Sequence, residues 1–337
     1  DESDMVYLFS KMFTNCGYDL KITKDEEMFL FDPAKKLWCE NISKSFIRKK
    51  ILFILGSYLK FYNTISSELV KNSKFVKDSY FLQFRKKIKN FSKYYNSSCG
   101  IEKIFKLYKD QCSTNDNDFK MNLDNKCEDL FPIKKNKVVD LKTGKISDRN
   151  KDHYFTFETN IKISKDKDMM DFIDKQMLII MNNDKEMKNF FQELLGYCLS
   201  GSMNEDYYYI WYGKEGSNGK STVTMLLQLL MSKFYSQLNK KVLVDLNTRS
   251  NHETYLENIE NKRLSVFGEL SKNDKIRDDR LKKLTSKCDQ ITYRKAYGSK
   301  ERTFIPTSKI IIQTNFYPNL NVNDSAMMRR TIVIPFN

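Results

Sequence analysis

Three consecutive features near the middle of the chain constrain its fold more than any other part of the sequence. The aromatic and apolar run over residues 207–212 predicts a buried β-strand. A loop containing three glycines follows, from Gly213 to Gly219, and leads into Lys220 and Ser221. The apolar stretch over residues 222–231 then predicts a helix. A strand, a glycine loop and a helix in this order indicate an α/β fold that binds phosphate where the helix begins.

The residue types of this loop suit the binding of a nucleoside triphosphate. Backbone N–H groups at the helix start wrap a phosphate chain, Lys220 reaches the β and γ phosphates, and the Ser221 hydroxyl holds Mg²⁺. Gly213 lies one residue further from Gly219 than the pattern G-x-x-x-x-G-K-S requires. The sequence therefore predicts ATP and Mg²⁺ as cofactors, with nucleotide contacts from Gly213, Gly216, Ser217, Asn218, Gly219, Lys220, Ser221 and Thr222.

Two later apolar runs end in polar side chains that fit the same chemistry. Residues 263–267 lead through Gly268 to Glu269. A carboxylate at the end of a neighbouring strand contacts the Mg²⁺ shell or polarises the attacking water, so Glu269 is predicted to be catalytic and, with Ser221, a Mg²⁺ ligand. Residues 309–314 end at Asn315, which is predicted to orient the water beside the γ-phosphate.

A pair of arginines precedes the last predicted strand, which covers residues 331–335. Adjacent arginines in this position can reach the γ-phosphate of a neighbouring subunit and stabilise its charge in trans. Arg329 and Arg330 are therefore candidate catalytic residues. The sequence does not say which of the two acts, and an ordinary surface pair is the alternative.

The chain is strongly basic, and part of this charge is concentrated in a predicted hairpin. Its 58 Lys and Arg outnumber 43 Asp and Glu, which gives a formal charge of +15. Such charge suits a polyanion, although a solvated lysine-rich surface explains it equally well. Residues 291–305 predict a β-hairpin in which aromatic and basic side chains alternate, as in single-strand binding. The candidate DNA contacts are Arg294, Lys295, Lys300 and Arg302.

Hydrophobic periodicity divides the chain into two parts. Apolar positions at three-to-four spacing predict helices over residues 43–63, 169–181 and 185–199, with a short strand at 138–141. Downstream, strands are predicted at 207–212, 242–246, 264–267, 310–313 and 331–335, with helices between them. We therefore predict a mainly α-helical domain over residues 1–175 and an α/β domain over residues 176–337.

Cysteine usage and hydropathy favour a reducing, intracellular setting away from membranes. The seven cysteines include no C-x-x-C pair, and there are only two histidines, which disfavours a zinc site and a disulfide framework. The apolar runs fall short of the roughly 20 residues that span a bilayer. Because the chain starts without Met and stops after an apolar strand, we expect it to be a piece of a longer protein.

Taken in order, these motifs resemble those of the superfamily 3 helicases. They are most similar to the poxvirus-type primase–helicase ATPases of large DNA viruses. The resemblance covers residues 130–337 well and residues 1–130 only loosely. It rests on Gly216–Ser221, Glu269, residues 281–285 with 289–294, residues 310–315 and residues 326–330, and it extends upstream to residues 131–144 and 193–201.

This resemblance implies an AAA+-like P-loop core, preceded by a mainly helical collar, that assembles as a hexamer around DNA. Lys220, Ser221, Glu269 and Asn315 would bind ATP at one face, and Arg329 or Arg330 would come from the next subunit. The hairpin would line the channel, and the ring would move 3′→5′ on single strands and unwind forked DNA during viral replication. A primase domain upstream, a replication polymerase as partner and the host cytoplasm as location are further expectations from the family.

Two alternatives stay open at this point. One is a P-loop DNA translocase or packaging ATPase that does not unwind its substrate. The other is a ring scaffold that binds nucleotide without hydrolysing it. The hairpin and the late arginine pair favour the helicase over the translocase, and DNA-stimulated hydrolysis separates both from the scaffold.

Overall fold

A computed structural model describes residues 2–23, 26–71, 79–95, 97–112, 117–214, 216–238, 240–244, 254–268, 272, 274–294, 301–316 and 324–336. The chain divides into two compact units, Asp1–Lys120 and Met121–Asn337. The domain boundary predicted between residues 175 and 176 falls inside the second unit. None of the helices in these ranges is both long enough and apolar enough to span a bilayer.

The first unit combines helices with a small antiparallel sheet. In chain order its elements are α1 (Glu2–Asn15), β1 (Asp19–Ile22), β2 (Met28–Asp32), β3 (Leu37–Cys39), α2 (Lys44–Val70), α3 (Ser79–Tyr95), α4 (Ser98–Cys112) and α5 (Asn117–Asn122), the last of which continues past the unit boundary. The strands pair in the order β1-β2-β3. This sheet was not predicted, because strands of three to five residues are too short to show a clear alternation.

Helix α2 confirms the helical spacing predicted over residues 43–63. Ile47, Ile51 and Leu55 recur at the spacing of one helix face and are fully buried. They share an apolar core with Phe9 and Phe13 of α1. Burial of this face, rather than helix propensity, accounts for most of the stability of α2 in the fold.

The second unit begins with another antiparallel sheet, followed by two helices. The sheet contains β4 (Leu130–Ile133), β5 (Lys137–Asp140) and β6 (Ile146–Asp148), and the helices are α6 (Lys167–Ile180) and α7 (Lys185–Leu199). The strand predicted at 138–141 and the helices predicted at 169–181 and 185–199 are confirmed. Asp166 and Asp184 cap the two helices by accepting hydrogen bonds from backbone N–H groups in the first turn.

The remainder of the second unit alternates strands and helices. Its elements are β7 (Tyr208–Tyr212), α8 (Lys220–Met231), β8 (Tyr235–Leu238), α9 (Lys240–Leu243), β9 (Leu264–Phe267), α10 (Asp278–Thr285), β10 (Ile291–Arg294), β11 (Glu301–Phe304), β12 (Lys309–Thr314), α11 (Ser325–Arg330) and β13 (Thr331–Pro335). Five of the strands form one parallel sheet in the order β13-β7-β12-β9-β8. The predicted α/β class is confirmed. The central strands β7 and β12 are apolar on both faces, as parallel strands covered on both sides require.

One predicted strand was wrong. The apolar run at 242–246 predicted a strand, but residues 240–243 form α9, Val244 makes an isolated bridge with Ile276, and residues 245–246 lie outside the described residues. The edge strand is β8 instead, and it carries the polar Ser236 and Gln237. Val242 and Leu243 are buried in the core as part of a helix, and this tertiary contact outweighed their β propensity. β8 was not predicted because its polar residues interrupt the apolar pattern.

Candidate functional site

The parallel sheet brings the ends of several strands to one border, which we call the carboxyl edge; the opposite border is the amino edge. β7 lies between β13 and β12, with Tyr212 paired to Thr314 at this edge. β9 lies on the other side of β12. Gly213, Asn315 and Gly268 therefore follow neighbouring strands at the carboxyl edge. Open α/β sheets bind their ligands at this edge.

Gly213 cannot be replaced by a larger residue without moving its surroundings. Its N–H donates to the Thr314 carbonyl oxygen at 3.2 Å. A Cβ built on Gly213 would lie 2.0 Å from Asn218 Nδ2 and 2.5 Å from the Phe336 carbonyl oxygen. A glycine is therefore required at this position by contacts with Asn218 of the same loop and with the backbone at the end of β13.

Lys220 folds back over its own loop. Its Nζ donates to the Gly213 carbonyl oxygen at 3.2 Å and to Asn218 Oδ1 at 3.0 Å, while Asn218 Nδ2 donates to the Phe336 carbonyl oxygen at 3.1 Å. The side chain is only 8% exposed, and burial lowers the pKa of its ammonium group. A cation held by neutral oxygens can exchange them for phosphate oxygens, with which it forms stronger, charge-assisted bonds.

The rest of the loop takes backbone conformations that suit a phosphate cradle. Gly219 has φ +89° at the start of α8, and Ser217 has φ +63°. A Cβ on Gly219 would lie 3.1 Å from Cγ1 of Ile180, the last residue of α6. A Cβ on Gly216 would meet open space. Backbone N–H groups in the first turn of any helix have no intrahelical acceptor and can bind an anion.

The side chains of Ser221 and Thr222 are exposed in this first turn of α8. Their positions fit the predicted contacts, because a hydroxyl at the helix start can be a ligand of a hard cation. The predicted set from Gly213 to Thr222 thus lies together at the carboxyl edge.

The end of β12 is tied to the same loop. Gln313 Nε2 donates to the Lys220 carbonyl oxygen at 3.4 Å and also bonds the Thr224 hydroxyl. Thr314 Oγ1 accepts from the Phe316 N–H at 3.0 Å, which closes the turn around Asn315. Asn315 is half-buried beside the strand that leads into Gly213. The structure therefore brings Asn315 and the phosphate loop to the same edge of the sheet, and the role of Asn315 in orienting water stays a prediction.

Glu269 lies outside the described residues. Gly268 follows β9 and is the last described residue before Glu269. It lies at the carboxyl edge, and β12 separates it from the phosphate loop. The catalytic and Mg²⁺-binding roles of Glu269 stay predictions.

The two arginines lie at the amino edge, away from the phosphate loop of their own chain. Arg330 precedes Thr331, which pairs with Tyr208 at the start of β7. Five residues of β13 separate that point from the carboxyl edge, a distance of about 16 Å. Arg329 is exposed, whereas Arg330 is half-buried and lies 3.6 Å from Asp206.

The hairpin predicted over residues 291–305 is present as β10 and β11, with Arg294 opposite Glu301 and Tyr293 opposite Arg302. Tyr293 donates its hydroxyl hydrogen to Glu260 Oε2 at 2.6 Å, and Arg302 Nη1 lies 3.9 Å from the same oxygen. Because Glu260 precedes β9 and β11 leads into β12, the hairpin leaves the sheet at the amino edge.

The four candidate DNA contacts of the hairpin differ in their surroundings. Arg294 is exposed, whereas Arg302 is partly buried beside Glu260. Lys295 and Lys300, at the predicted tip, lie outside the described residues.

Two buried cations at the amino edge were missed by the sequence analysis. Arg263 and Lys309 are each 1% exposed; Arg263 precedes β9, and Lys309 is the first residue of β12. Arg263 donates to the carbonyl oxygens of Leu130 at 2.9 Å and Leu199 at 2.8 Å, and Lys309 Nζ donates to that of Ser200 at 2.5 Å. Burial lowers the pKa of Lys309 to about 7 and that of Arg263 to about 10. A basic residue directly before an apolar strand was the available signal.

Comparison with known proteins shows what this chain is similar to. A family of unknown function, DUF5906, matches residues 211–330. The chain is 28% identical over 270 residues to the putative helicase L207/L206 of Acanthamoeba polyphaga mimivirus, covering 75% of this chain and 27% of that protein. It is 28% identical over 226 residues to the uncoating factor OPG117 of Vaccinia virus, covering 62% and 28% of the two chains.

A third relative is the primase D5 of Fowlpox virus, which is 29% identical over 156 residues and covers 45% of this chain and 19% of its own length. The chain thus spans less than a third of each of these relatives. Among solved structures, the apo C terminal region of NrS-1 has a similar fold, with a TM-score of 0.51 at 16% identity, covering 100% of this chain and 63% of that one. The resemblance drawn from the motifs is confirmed: the chain is similar to proteins of large DNA viruses that are named as a putative helicase and a primase.

Proposed function

We propose that this chain is the ATP-hydrolysing part of a replicative DNA helicase, with an AAA+-like core. The observation that carries the proposal is the arrangement of Lys220, which is held by neutral oxygens of a glycine loop at the carboxyl edge of a parallel sheet. The names of its relatives, a putative helicase and a primase, support a role in replication.

Hydrolysis needs the phosphate chain to be held and a water to be oriented. Lys220 and the N–H groups at the start of α8 would bind the β and γ phosphates of ATP. Asn315, placed beside the loop by the Thr314 turn, would orient the attacking water. Mg²⁺, when bound, neutralises charge on the phosphates, and Ser221 and Glu269 are the residues proposed to hold it.

Completion of the site requires a second subunit. Arg329 and Arg330 precede β13, whose five residues put about 16 Å of strand between them and the carboxyl edge of their own chain, so an arginine that reaches the γ-phosphate would come from a neighbour. Arg329 is the better candidate, because it is exposed whereas Arg330 is half-buried beside Asp206. A closed hexameric ring supplies one such neighbour to every site.

The hairpin at the amino edge is the proposed contact with single-stranded and forked DNA. Arg294 is exposed on β10, and the basic tip predicted for residues 295–300 follows it directly. Backbone phosphates are met by such cations without regard to sequence, which a motor that moves along DNA requires. An upstream primase domain, a polymerase partner and the host cytoplasm are parts of the same proposal.

The test is hydrolysis of ATP by the full chain with and without single-stranded DNA, followed by displacement of a forked duplex. We expect DNA to stimulate hydrolysis and Lys220→Ala to lower turnover by a factor of about 100 or more, because one preorganised cation is removed from the transition state. Asn204→Ala, away from the carboxyl edge, is the control. ATP hydrolysis without displacement of the duplex would favour a translocase. Nucleotide binding without ATP hydrolysis would favour a scaffold.

A further inference from the structure

Helix α2 of the first unit carries three phenylalanines on its exposed face. Phe46, Phe53 and Phe61 are 39%, 71% and 60% exposed, although phenylalanine is a residue that proteins usually bury. The buried side chains of the helix, among them Ile47 and Leu55, lie on its opposite side and pack into the core of the unit. At 100° per residue the three rings fall within about 80° of one another, so they form one line along the helix.

Two lysines lie in the same line. Lys49 and Lys60 are exposed, and neither makes an ion pair with any residue that the structure describes. The neighbouring cations are held by other groups: Arg48 by Glu102, and Lys50 by the Tyr18 hydroxyl at 2.7 Å. The exposed rings and lysines together occupy about a third of the helix circumference. We call them the Phe–Lys stripe, which consists of Phe46, Lys49, Phe53, Lys60 and Phe61.

The local charge around the stripe favours an anion. No Asp or Glu occurs between residues 41 and 67, and the flanking acids in the sequence are Glu40 and Glu68. Glu68 lies about 10 Å beyond Phe61 along the helix axis. Helix α3, which packs against α2, contains five Lys and Arg and no acid. The stripe therefore offers rings and positive charge to a ligand that has both flat apolar groups and negative charge.

The alternation of rings and lysines separates the anions that could bind. A helix that lies on an anionic membrane inserts a continuous apolar face, and the continuous apolar face of α2 is already buried in the core. A single-stranded nucleic acid has unpaired bases that stack on rings and phosphates that meet cations. The rings are about 10 Å and 12 Å apart along the helix axis, so a lysine between two rings can contact the backbone that joins two stacked bases.

We propose that the Phe–Lys stripe is a binding site for single-stranded nucleic acid in the first unit of the chain. The hairpin proposed to contact DNA belongs to the second unit, so the stripe is an additional site. It extends over about 23 Å of helix, which is long enough to contact several nucleotides. It reads no base sequence, because every base has a face that can stack. Binding at the stripe needs neither ATP nor its hydrolysis.

The experiment measures the binding of a fluorescent thymidine oligonucleotide, and of a duplex of equal length, to the full chain over a series of salt concentrations. Phe53→Ala combined with Phe61→Ala should weaken binding of the single strand by about tenfold or more, with little change in the salt slope. Lys49→Ala combined with Lys60→Ala should instead lower the salt slope by about 1.4, the value for two phosphate contacts. Binding of the duplex should change less in the ring variant, because its bases are already stacked.

Matched controls remove the same kinds of side chain elsewhere in the first unit. Tyr7→Ala removes a ring of α1 that is 63% exposed, and Lys106→Ala removes an exposed cation of α4. Both should bind the single strand like the wild type, and all variants should keep their circular dichroism and melting temperature. Photochemical cross-linking to an oligonucleotide that contains 5-iodouracil, followed by mass spectrometry of the peptides, locates the bound bases. We expect adducts on Phe53 or Phe61.

The proposal is overturned if the double phenylalanine variant binds the single strand like Tyr7→Ala, or if no adduct falls on α2. It is also overturned if that variant loses binding to phosphatidylserine vesicles while DNA binding is unchanged, which would assign the stripe to a membrane. Failure of the proposed function looks different. A chain that cross-links through α2 but shows no DNA-stimulated ATP hydrolysis would remove only the helicase, and DNA-stimulated hydrolysis without adducts on α2 would remove only this site.

Discussion

The two edges of the parallel sheet each hold a buried lysine, and the two lysines differ in what they can still bind. Lys220, at the carboxyl edge, is held by the Gly213 carbonyl and the Asn218 amide oxygen of a glycine loop. Lys309, at the amino edge, donates to the Ser200 carbonyl and lies 4.4 Å from the centre of the Tyr197 ring. Both have a lowered pKa, since both lose water on folding.

The difference lies in the surroundings rather than in the residue type. Lys220 belongs to a loop with one glycine that faces open space and a helix start with exposed hydroxyls, so an anion can approach it. Lys309 is enclosed by a ring and a main-chain oxygen, and it joins β12 to the end of α7. A buried cation is thus a candidate for chemistry only where its present partners can be replaced.

The largest effect should come from the arginines that one chain offers to another. Arg329→Ala should lower kcat by about a thousandfold, as loss of a trans-acting arginine does in other nucleotide hydrolases, with ATP affinity largely kept. Arg330→Ala, beside Asp206, should instead lower the melting temperature. Mixing Arg329→Ala with Lys220→Ala subunits should recover part of the turnover. No recovery on mixing would mean that the arginine does not act across subunits.

A single added methyl group should disrupt the phosphate loop at the carboxyl edge. Gly213→Ala puts a Cβ 2.0 Å from Asn218 Nδ2 and 2.5 Å from the Phe336 carbonyl oxygen, so the loop has to move. We expect nucleotide affinity to fall by about 10- to 100-fold, as measured by titration with a fluorescent ATP analogue. Gly196→Ala, on α7, where a Cβ also meets open space, is the control and should bind almost normally. Equal affinities in the two variants would contradict the geometry.

The amino edge should show a pH dependence that comes from Lys309. Its pKa in the folded protein, about 7, lies below the ordinary value of about 10.4, so the unfolded chain binds the extra proton above pH 7. Folding above pH 7 therefore releases a proton from Lys309. Since proton release is favoured at higher pH, the free energy of unfolding should rise by about 1 kcal/mol per pH unit. The useful window is about pH 7 to 8.5, because thiols titrate above it.

Urea unfolding followed by the fluorescence of Trp211, which is buried in β7, measures the free energy of unfolding at each pH. Trp38 is changed to Phe so that Trp211 gives the only tryptophan signal. In the Lys309→Met background the rise with pH over that window should disappear. An unchanged slope in the variant would assign the pH dependence to other groups.

The smallest effect should separate two arginines of the hairpin. Arg294→Ala should weaken single-stranded DNA binding a few-fold and reduce the salt slope by about 0.7, the value for one phosphate contact on a single strand. Arg302→Ala should change the salt slope less, because Arg302 lies beside Glu260. Fluorescence anisotropy over a salt series tests the pair, and a larger slope change for Arg302 would reverse the assignment.

Sequence reasoning was most successful where function requires a fixed local order. The strand, glycine loop and helix over residues 207–231 had to be adjacent in the chain, and the structure has them as β7, the loop and α8. Asn315 was chosen because it follows a strand with the apolar centre Ile310–Ile312, and its role stays a prediction. The long amphipathic helices were found because their periodicity repeats over several turns.

It failed where tertiary contacts decide. The strands of the first unit are short and β8 contains polar residues, so neither shows a clear apolar pattern. Val242 lies in helix α9, where its side chain is buried in the core. Arg263 and Lys309 were invisible as buried cations, because their partners are main-chain oxygens far away in the sequence. The need for Gly213 likewise comes from Phe336, 123 residues later, which no local pattern encodes.

The strand β13 has a consequence for the timing of events between subunits. It begins beside Arg330, and the residue after it, Phe336, accepts a hydrogen bond from Asn218 of the phosphate loop. The five residues of β13 all pair with β7, so the strand links the arginines at one edge of the sheet to the phosphate loop at the other. If each copy offers Arg329 to the next, a movement of the phosphate loop when its nucleotide leaves would reach Arg329 through β13. Emptying one ATP site would then shift the arginine that the chain presents to the neighbouring ATP site. Turnover around such an assembly would then proceed in sequence rather than at random.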